Sequence, residues 1–342
     1  MKALRYEGKK DMRYVDLPIP GPKEYEVRIK VKAVAICGSD LNGYKGINGL
    51  RIAPLVMGHE FSGEIDCCGE GVDGLKPGLK VTVNPNFYCG ECSNCRNGKF
   101  NLCNQKIVPG TSVGGVNVAG AMAEYICVRA KNIIPLAEQV SFEEGALLEP
   151  LAVSLHGVKR GGKIQGKKIV VVGSGPIGLM AAMLAKNMGA SQIINTDVLE
   201  ERLRLAKLCG ATDVVNLKNR QLSCIRELTA GEGADVVFDC VGNEQSVNQA
   251  AKTVKNGGKI VVIGMASEEI MFPVKKFVAH ELELLGSYQY VNEMQEAMEL
   301  VADHKIDLSH IMTSIVPLSD GKEAFERLCL PETNEIKIIL KP

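Results

Sequence analysis

The stretch KKIVVVGSGPIG, residues 167–178, decides the fold of the second half of the chain. Its apolar run is typical of a strand that is buried on both faces of a parallel sheet. Gly173, Gly175 and Gly178 follow that run and open a segment with the pattern of a helix. In such a turn the first glycine allows a sharp bend, the second lets backbone approach a pyrophosphate, and the third lets helix and strand pack closely. The stretch therefore predicts a dinucleotide site.

The residues after this turn indicate which dinucleotide it binds. Pro176 and Ile177 begin the predicted helix, whose free N–H groups and partial positive charge suit phosphates. An acidic residue is expected about 20 positions later, at the end of the next strand, and Asp197 occupies that place. Its carboxylate can accept hydrogen bonds from the adenosine ribose and would repel a 2′-phosphate, so NAD is favoured over NADP. Arg202 either lies along the adenine or belongs to a solvated helix face.

Apolar strands alternate with helical segments from residue 167 to about residue 284. Repeated β-α-β units imply a doubly wound parallel sheet with helices on both faces. Gly242 and Gly264 lie at the ends of two predicted strands and are further candidate contacts for the cofactor. We predict a Rossmann NAD-binding domain over residues 151–284.

The first half of the chain has short strands separated by glycine and proline, with alternating apolar and polar residues. This pattern predicts an antiparallel, barrel-like domain. The segment after residue 284 is short and mixed, and we expect it to return to the first domain. The predicted catalytic domain therefore covers residues 1–150 and is completed by residues 285–342.

Composition excludes several classes of function. Forty basic and forty acidic residues cancel, which gives no reason to expect nucleic acid or an anionic membrane as a partner. The N-terminus lacks an apolar stretch of signal-peptide length, and no run approaches the roughly 20 apolar residues that cross a bilayer. We expect a cytoplasmic protein, in which twelve cysteines indicate metal binding or catalysis more than disulfides.

The four crowded cysteines are Cys89, Cys92, Cys95 and Cys103. Four thiolates on a short loop match a closed tetrahedral zinc site. An iron–sulfur cluster is the rival, but the last spacing is seven residues and no proline follows Cys103, unlike the bacterial ferredoxin run. Because four cysteines leave no position for substrate, this zinc is expected to be structural. The scattered cysteines are interpreted as small buried hydrophobes.

A second set of metal-ligand residues lies near Cys37 and in the pair His59 and Glu60. A thiolate, an imidazole and a carboxylate are suitable zinc ligands, and three protein ligands leave one position open for water or substrate. The spacing alone does not decide whether these residues bind zinc, because a lone histidine is more often a structural residue than a ligand.

Several motifs in order give the chain a resemblance to the zinc-containing medium-chain dehydrogenases/reductases over essentially its whole length. They are CGSD from residue 37, GHEFSG from 58, CGECSNC…NLC from 89, AMAEY from 121, EPLAVSLHG from 149, GSGPIG from 173 and TD from 196. Within that family the chain most resembles the polyol branch of sorbitol, 2,3-butanediol, idonate and sugar-alcohol-phosphate dehydrogenases. The resemblance implies a GroES-like catalytic domain beside the Rossmann domain.

The resemblance also implies roles for individual residues. Cys37 and His59 would bind a catalytic zinc, with either Glu60 or Glu149 as the third protein ligand. Ser39 would hydrogen-bond the reacting oxygen and begin a proton relay. Many relatives place a histidine three residues after this serine, where the present chain has Asn42, which cannot titrate near neutral pH.

The implied reaction is oxidation of a secondary alcohol by hydride transfer to NAD. The substrate is expected to be a polyol or sugar alcohol, with or without phosphate. Segments around residues 84–88, 107–117 and 287–290 are candidate pocket linings, and Lys45, Arg51 and Lys106 are either anion contacts or solvated residues. The alternatives are an amino-alcohol oxidiser resembling L-threonine 3-dehydrogenase and a non-catalytic family member. A homodimer or homotetramer is expected, with edge pairing near residues 268–274.

Overall fold

A computed structural model describes residues 1–47 and 49–342 of the chain. The chain divides into two compact units. The first contains residues 1–149, 294–304 and 312–342, and the second contains residues 150–293 and 305–311.

The elements run through the first unit as follows. They are β1 Lys2–Gly8, β2 Asp11–Asp16, β3 Glu26–Ala35, α1 Gly38–Tyr44, β4 Leu55–Val56, β5 Glu60–Cys68, β6 Lys80–Val83, α2 Ser93–Arg96, β7 Thr111–Val113, β8 Val116–Val118, β9 Tyr125–Arg129 and β10 Ile133–Pro135. Helix α3, Phe142–Arg160, begins in the first unit and ends in the second.

The second unit carries the alternating pattern. Its elements are β11 Lys168–Val172, α4 Pro176–Asn187, β12 Gln192–Asp197, α5 Glu200–Leu208, β13 Asp213–Asn216, α6 Ser223–Leu228, β14 Ala234–Asp239, α7 Glu244–Thr253, β15 Val254–Val262, α8 Val274–Ala279 and β16 Glu283–Gly286. The chain ends with α9 Glu293–Ala302, β17 Met312–Pro317, α10 Gly321–Leu328 and β18 Lys337–Lys341.

The main sheet of the first unit has the strand order β10-β6-β5-β3-β18-β17, and β9 also pairs with β3. Its pairings are antiparallel except that β17 and β18 run parallel. Along β3 the side chains of Val27, Ile29 and Val31 are buried, because alternate residues of a strand face the same side. Their apolar cluster is the core of this unit, beside a smaller sheet of order β2-β1-β4.

The second unit is a parallel sheet of order β13-β12-β11-β14-β15-β16. The chain leaves β11 towards one edge through β12 and β13, then returns to the other side at β14. The carboxyl end of β11 is therefore the point where the strand order reverses, which is where open α/β sheets bind ligands. Because β16 pairs with β15, the sheet extends to residue 286. Residues 285–293 and 305–311, which we expected to complete the first domain, group with the second unit.

Candidate metal centres and nucleotide site

The structure brings together the ligand atoms of Cys37, His59 and Glu60, all within 4.8 Å of one another. The register of the main sheet explains this. Ala35 at the end of β3 pairs with Glu60 at the start of β5. Cys37, two residues beyond Ala35, and His59, one residue before Glu60, are therefore at the same end of the sheet. Residues more than twenty positions apart in sequence thus form one cluster.

The chemistry of these donors fits zinc. Burial, followed by the charge of Glu60, raises the pKa of the Cys37 thiol to about 12. A thiolate at this position therefore needs a nearby cation. His59 is buried, and its Nδ1 has no hydrogen-bond partner among the described residues. That atom lies 3.7 Å from Oδ1 of Asp40, and a carboxylate facing a histidine is the usual surrounding of a metal-binding imidazole.

A buried lysine belongs to the same cluster. Nζ of Lys337 donates to both carboxylate oxygens of Glu60 and to the carbonyl oxygen of Ile36. Burial lowers the pKa of Lys337, but the charges of Glu60 and Cys37 and the hydrogen bonds to Glu60 outweigh it and raise that pKa overall. The carboxylate of Glu60 is therefore neutralised inside the protein even without a metal.

Glu149 is close to this cluster but is not one of its three mutually close ligands. Its side chain is buried, and its charge acts on both Cys37 and Lys337. Glu149 is the eighth residue of α3, because that helix already begins at Phe142. Glu149 therefore lies inside the helix and not at its N-terminus, where Glu143 and Glu144 occupy the first turn.

Ser39 lies in the first turn of α1, and its backbone N–H points to Sγ of Cys37 at 3.4 Å. Its hydroxyl oxygen is 3.0 Å from Nη2 of Arg51, which also donates to Oδ1 of Asp40 at 2.9 Å. Arg51 is buried. The expectation that Arg51 is a solvated loop residue or an anion contact is therefore wrong, because its guanidinium is paired inside the protein.

The four crowded cysteines also come together as one group. The Sγ atom of Cys103 lies 3.5 Å from that of Cys89 and 4.0 Å from that of Cys92, and Cys89 and Cys95 are 3.9 Å apart. A zinc–sulfur bond of about 2.3 Å in a tetrahedron places sulfur atoms about 3.8 Å apart. The spacing therefore fits one zinc ion.

Backbone N–H groups beside the four cysteines favour negative charge on the sulfur atoms. N–H groups of Cys92 and Gln105 point to the sulfur atoms of Cys89 and Cys103 at 3.4 Å. Hydrogen bonds from the backbone at Cys95 lower the pKa of Cys92 to about 6, while burial raises that of Cys95 to about 12. A metal ion is therefore needed to hold all four sulfurs as thiolates.

The glycine turn of the second unit lies between β11 and α4. A Cβ atom on Gly178 would be 1.9 Å from the carbonyl oxygen of Gly173, so only glycine fits there. Gly175 is the N-cap of α4, with Pro176 and Ile177 in the first turn. A Cβ on Gly175 would meet nothing within 4 Å, which leaves open space beside the helix N-terminus.

Asp197 ends β12 beside this turn. Its Oδ2 accepts a hydrogen bond from Ser174 N–H at 2.8 Å, and its Oδ1 accepts from the N–H groups of Val198 and Leu199. Arg202 Nη1 lies 4.0 Å from Oδ2 of Asp197. The carboxylate thus sits at the edge of the glycine turn, as a ribose contact requires.

The remaining two glycines of the expected cofactor site approach each other. A Cβ on Gly242 would be 2.1 Å from the carbonyl oxygen of Gly264. Both follow neighbouring strands of the parallel sheet, β14 and β15. Their backbones are therefore packed together at the same edge as the glycine turn.

One of the candidate pocket segments, residues 107–117, holds loops in place. Ser112 Oγ is 2.5 Å from Oδ1 of Asn117, and Asn117 Nδ2 donates to the carbonyl oxygens of Ile52 and Pro54. Asn86 differs, since its side chain is buried and its amide atoms have no hydrogen-bond partner among the described residues. The side chain of Asn86 therefore has polar atoms left for another molecule.

The sequence did not predict the buried pairing of three residues beside the candidate metal site. Lys337 begins β18, directly before the buried residues 338–340, and a lysine in a buried strand is a signal of a buried charge. Asp40 and Arg51 gave no such signal, because their pairing depends on the path of the loop between α1 and β4.

In the described part of the chain, no helix combines the length and hydrophobicity that crossing a membrane requires.

Two family models match the chain. "Alcohol dehydrogenase GroES-like domain" matches residues 23–138, and "Zinc-binding dehydrogenase" matches residues 176–303. The chain is 35% identical over 347 residues to a sorbitol dehydrogenase of Bacillus subtilis (strain 168), covering 100% of this chain and 97% of that protein. It is 34% identical to an L-idonate 5-dehydrogenase of Vitis vinifera, covering 91% of this chain and 86% of that protein.

Solved structures agree with these relatives. A zinc-binding dehydrogenase of Sinorhizobium meliloti 1021 bound to NADP has a TM-score of 0.92 at 29% identity, covering 100% of this chain and 99% of that one. An alcohol dehydrogenase of E. coli CFT073 complexed with NADH has a TM-score of 0.92 at 28% identity, with the same coverage. The expected fold, with its GroES-like and Rossmann parts, is confirmed. The chain belongs to the zinc-binding alcohol dehydrogenases of the medium-chain dehydrogenase/reductase family and is a zinc- and nicotinamide-dependent oxidoreductase.

Proposed function

We propose that this enzyme oxidises a secondary alcohol group of a polyol or sugar alcohol to a ketone, with NAD as the acceptor. The observation that carries the proposal is the cluster of Cys37, His59 and Glu60, whose ligand atoms all lie within 4.8 Å of one another. The relatives named for sorbitol and L-idonate support a substrate rich in hydroxyl groups. Asp197 beside the glycine turn supports NAD as the preferred cofactor, because its charge would repel a 2′-phosphate.

The side chains of the first unit have separate tasks in this proposal. A bound zinc ion supplies Lewis acidity that lowers the pKa of the substrate hydroxyl, and NAD accepts the hydride. Cys37, His59 and Glu60 would hold the ion, while Lys337 offsets the charge of Glu60. Ser39 orients the reacting hydroxyl. Glu149 is the alternative carboxylate, and it can replace Glu60 when Lys337 retains both oxygens of that residue.

Further proposed sites follow from the same geometry. Cys89, Cys92, Cys95 and Cys103 would hold a structural zinc. The proposed nucleotide contacts are Gly173, Gly175, Pro176, Ile177, Gly178, Asp197, Arg202, Gly242 and Gly264.

An NAD-coupled assay of the purified enzyme tests the function. The panel contains polyols, polyol phosphates, aldonates, diols and L-threonine. We expect reduction of NAD with at least one polyol or polyol phosphate, and loss of that activity in Cys37→Ala. Cys127→Ala is the matched control, because Cys127 is a thiol of the same unit outside both metal clusters. Turnover of L-threonine alone would replace the proposal with the amino-alcohol reaction.

Metal content separates an enzyme from a non-catalytic family member. We expect about two zinc ions per chain, one in each cluster. A protein with about one zinc ion and no activity on the panel would be a scaffold. The structural cluster would then be its only metal site.

A homodimer or homotetramer completes the proposal. The second unit exposes Met271, Val278 and Leu284 near β16, an outer strand of its sheet. Residues 268–274, which we expected to pair at an edge, form no strand, and Val274 begins α8, so β16 is the better candidate for pairing. Light scattering that gives the mass of one chain would contradict an oligomer. The reduced cysteines that zinc binding needs support a cytoplasmic location.

A further inference from the structure

A buried arginine crosses helix α1 beside the proposed metal site. Arg51 comes from the loop between α1 and β4, and its side chain is 2% exposed. Its Nη2 atom donates to Asp40 Oδ1 at 2.9 Å and to Ser39 Oγ at 3.0 Å. Arginine is almost never this buried unless it is paired. Asp40, which is fully buried, supplies the opposite charge.

Helix α1 has a glycine at the position where it contacts this arginine. Gly43 lies inside α1, where glycine is less favourable than alanine. A Cβ atom on Gly43 would be 2.3 Å from Cγ of Arg51 and 3.0 Å from its Cβ. These atoms are near the backbone and cannot swing away as the tip of a side chain can. An alanine at this position would therefore displace Arg51 from Ser39.

The contact fixes the direction in which Ser39 donates. A guanidinium group has only donors, whereas a hydroxyl has one donor and two acceptor lone pairs. The Ser39 oxygen must therefore accept from Arg51, and its hydrogen is directed away from the guanidinium. Ser39 lies two residues after Cys37, with its backbone N–H directed to Sγ of that cysteine. The hydroxyl is thus next to the place where a substrate oxygen would react.

We propose that Arg51 is a positioning residue for alcohol oxidation, which orients the Ser39 hydroxyl so that its hydrogen is donated to the reacting oxygen of the substrate. This inference rests on the proposed function. The arginine adds a fixed positive charge that favours negative charge on that oxygen. Arginine does not deprotonate in proteins, so Arg51 does not receive the proton that the alcohol loses. Asn42 cannot receive it either, and Arg51 therefore supplies orientation where a histidine relay is missing.

A double-mutant cycle tests whether Arg51 acts through Ser39. Ser39→Ala is expected to lower kcat by about 10²- to 10⁴-fold, and Arg51→Met by roughly 10- to 100-fold with little change in KM. The double variant should be no slower than Ser39→Ala, because the second change removes a contact that no longer exists. Multiplied effects in the double variant, or full activity of Arg51→Met, would overturn the proposal.

A second variant keeps the test valid if Arg51→Met folds poorly. Gly43→Ala changes no charge and should lower kcat in the same way by pushing Arg51 aside. The matched control is Arg327→Met, since Arg327 likewise donates to a serine, Ser314, at 2.7 Å, but far along the chain from the metal cluster. Equal losses in Arg327→Met and Arg51→Met would point to general destabilisation.

Two further measurements do not depend on turnover. Crystal structures of the wild type and Arg51→Met should differ in the rotamer of Ser39, and an unchanged rotamer would contradict the proposal. In the cobalt(II)-substituted protein, the thiolate absorption band should be the same in both, because Arg51 does not hold the metal. A wild type that oxidises no alcohol would refute the proposed function, whereas an active wild type with an unaffected Arg51→Met would refute only this inference.

Discussion

The ammonium group of Lys337 lies 2.7 and 2.5 Å from the two carboxylate oxygens of Glu60, and the two side chains are 3% and 1% exposed. Removing one partner of such a pair leaves an uncompensated charge in the interior. Glu60 is also a proposed metal ligand, so zinc and Lys337 act on the same carboxylate. The charge of Lys337 should therefore matter most when the metal is absent.

We expect Lys337→Met to destabilise the metal-free protein by about 3–5 kcal/mol. Added zinc should recover part of that loss, because the ion compensates Glu60. Urea unfolding with and without zinc measures both effects. Lys341→Met is the control, since Lys341 pairs with Glu143 from a half-exposed position and should cost about 1 kcal/mol or less. Equal losses with and without zinc would show that Lys337 is unrelated to the metal.

Cys92→Ser should remove one zinc ion per chain and leave the other in place. A serine hydroxyl is a poor replacement for a thiolate ligand, and a structural zinc site contributes directly to folding. Metal analysis should fall from about two ions to about one, and the melting temperature should drop. Cys224→Ser, outside both clusters, should change neither quantity. Retention of both ions in Cys92→Ser would contradict a four-cysteine zinc site.

Local spacing made the second unit and the cysteine cluster predictable. The glycine turn and Asp197 lie on adjacent strands of one sheet, so the distance along the chain determines their separation in space. The four cysteines similarly occupy one short loop. The group of Cys37, His59 and Glu60 could not be predicted from spacing, because it depends on the pairing of β3 with β5. The family resemblance indicated this group instead.

The residues around that group could not be predicted for the same reason. Lys337 reaches Glu60 from a strand at the end of the chain, 277 positions away in sequence. Arg51 looked like a surface residue because charged residues in loops are usually solvated, and only the structure shows that it pairs with Asp40. Long-range ion pairs leave little trace in local patterns, apart from a charged residue in an apolar strand.

Gly175 and Gly178 should respond differently to alanine. A methyl group at Gly175 meets open space, so Gly175→Ala should melt at the temperature of the wild type. It should weaken NADH binding by at least about tenfold, because the second glycine lets the backbone approach the pyrophosphate. Gly178→Ala should lower the melting temperature as well, since its Cβ would overlap the Gly173 carbonyl. Fluorescence titration with NADH and thermal unfolding distinguish the two variants. Normal NADH affinity in Gly175→Ala would show that the phosphates of the cofactor do not bind beside Gly175.

Glu293 should make the second unit depend on pH in the acid range. Burial alone would raise its pKa, but the hydrogen bond to His156 and those from the backbone N–H groups of Val291 and Glu293 itself lower it to about 2. The Nδ1 atom of His156 is 3.1 Å from the carboxylate. Because the pKa is lower in the folded than in the unfolded state, the stabilisation is complete above about pH 4.5 and is lost as the pH falls through about 2.

Glu293→Gln is therefore expected to be less stable than the wild type at pH 7, by a difference of the order of 2 kcal/mol. That difference should shrink steadily when urea unfolding is repeated at pH 5, 4 and 3, roughly as the unfolded carboxylate becomes protonated. Glu299→Gln, an exposed change in the same helix, controls for the loss of one negative charge. A difference that stays constant down to pH 3 would mean that folding does not lower the pKa of Glu293, so that neither His156 nor the backbone N–H groups stabilise its carboxylate.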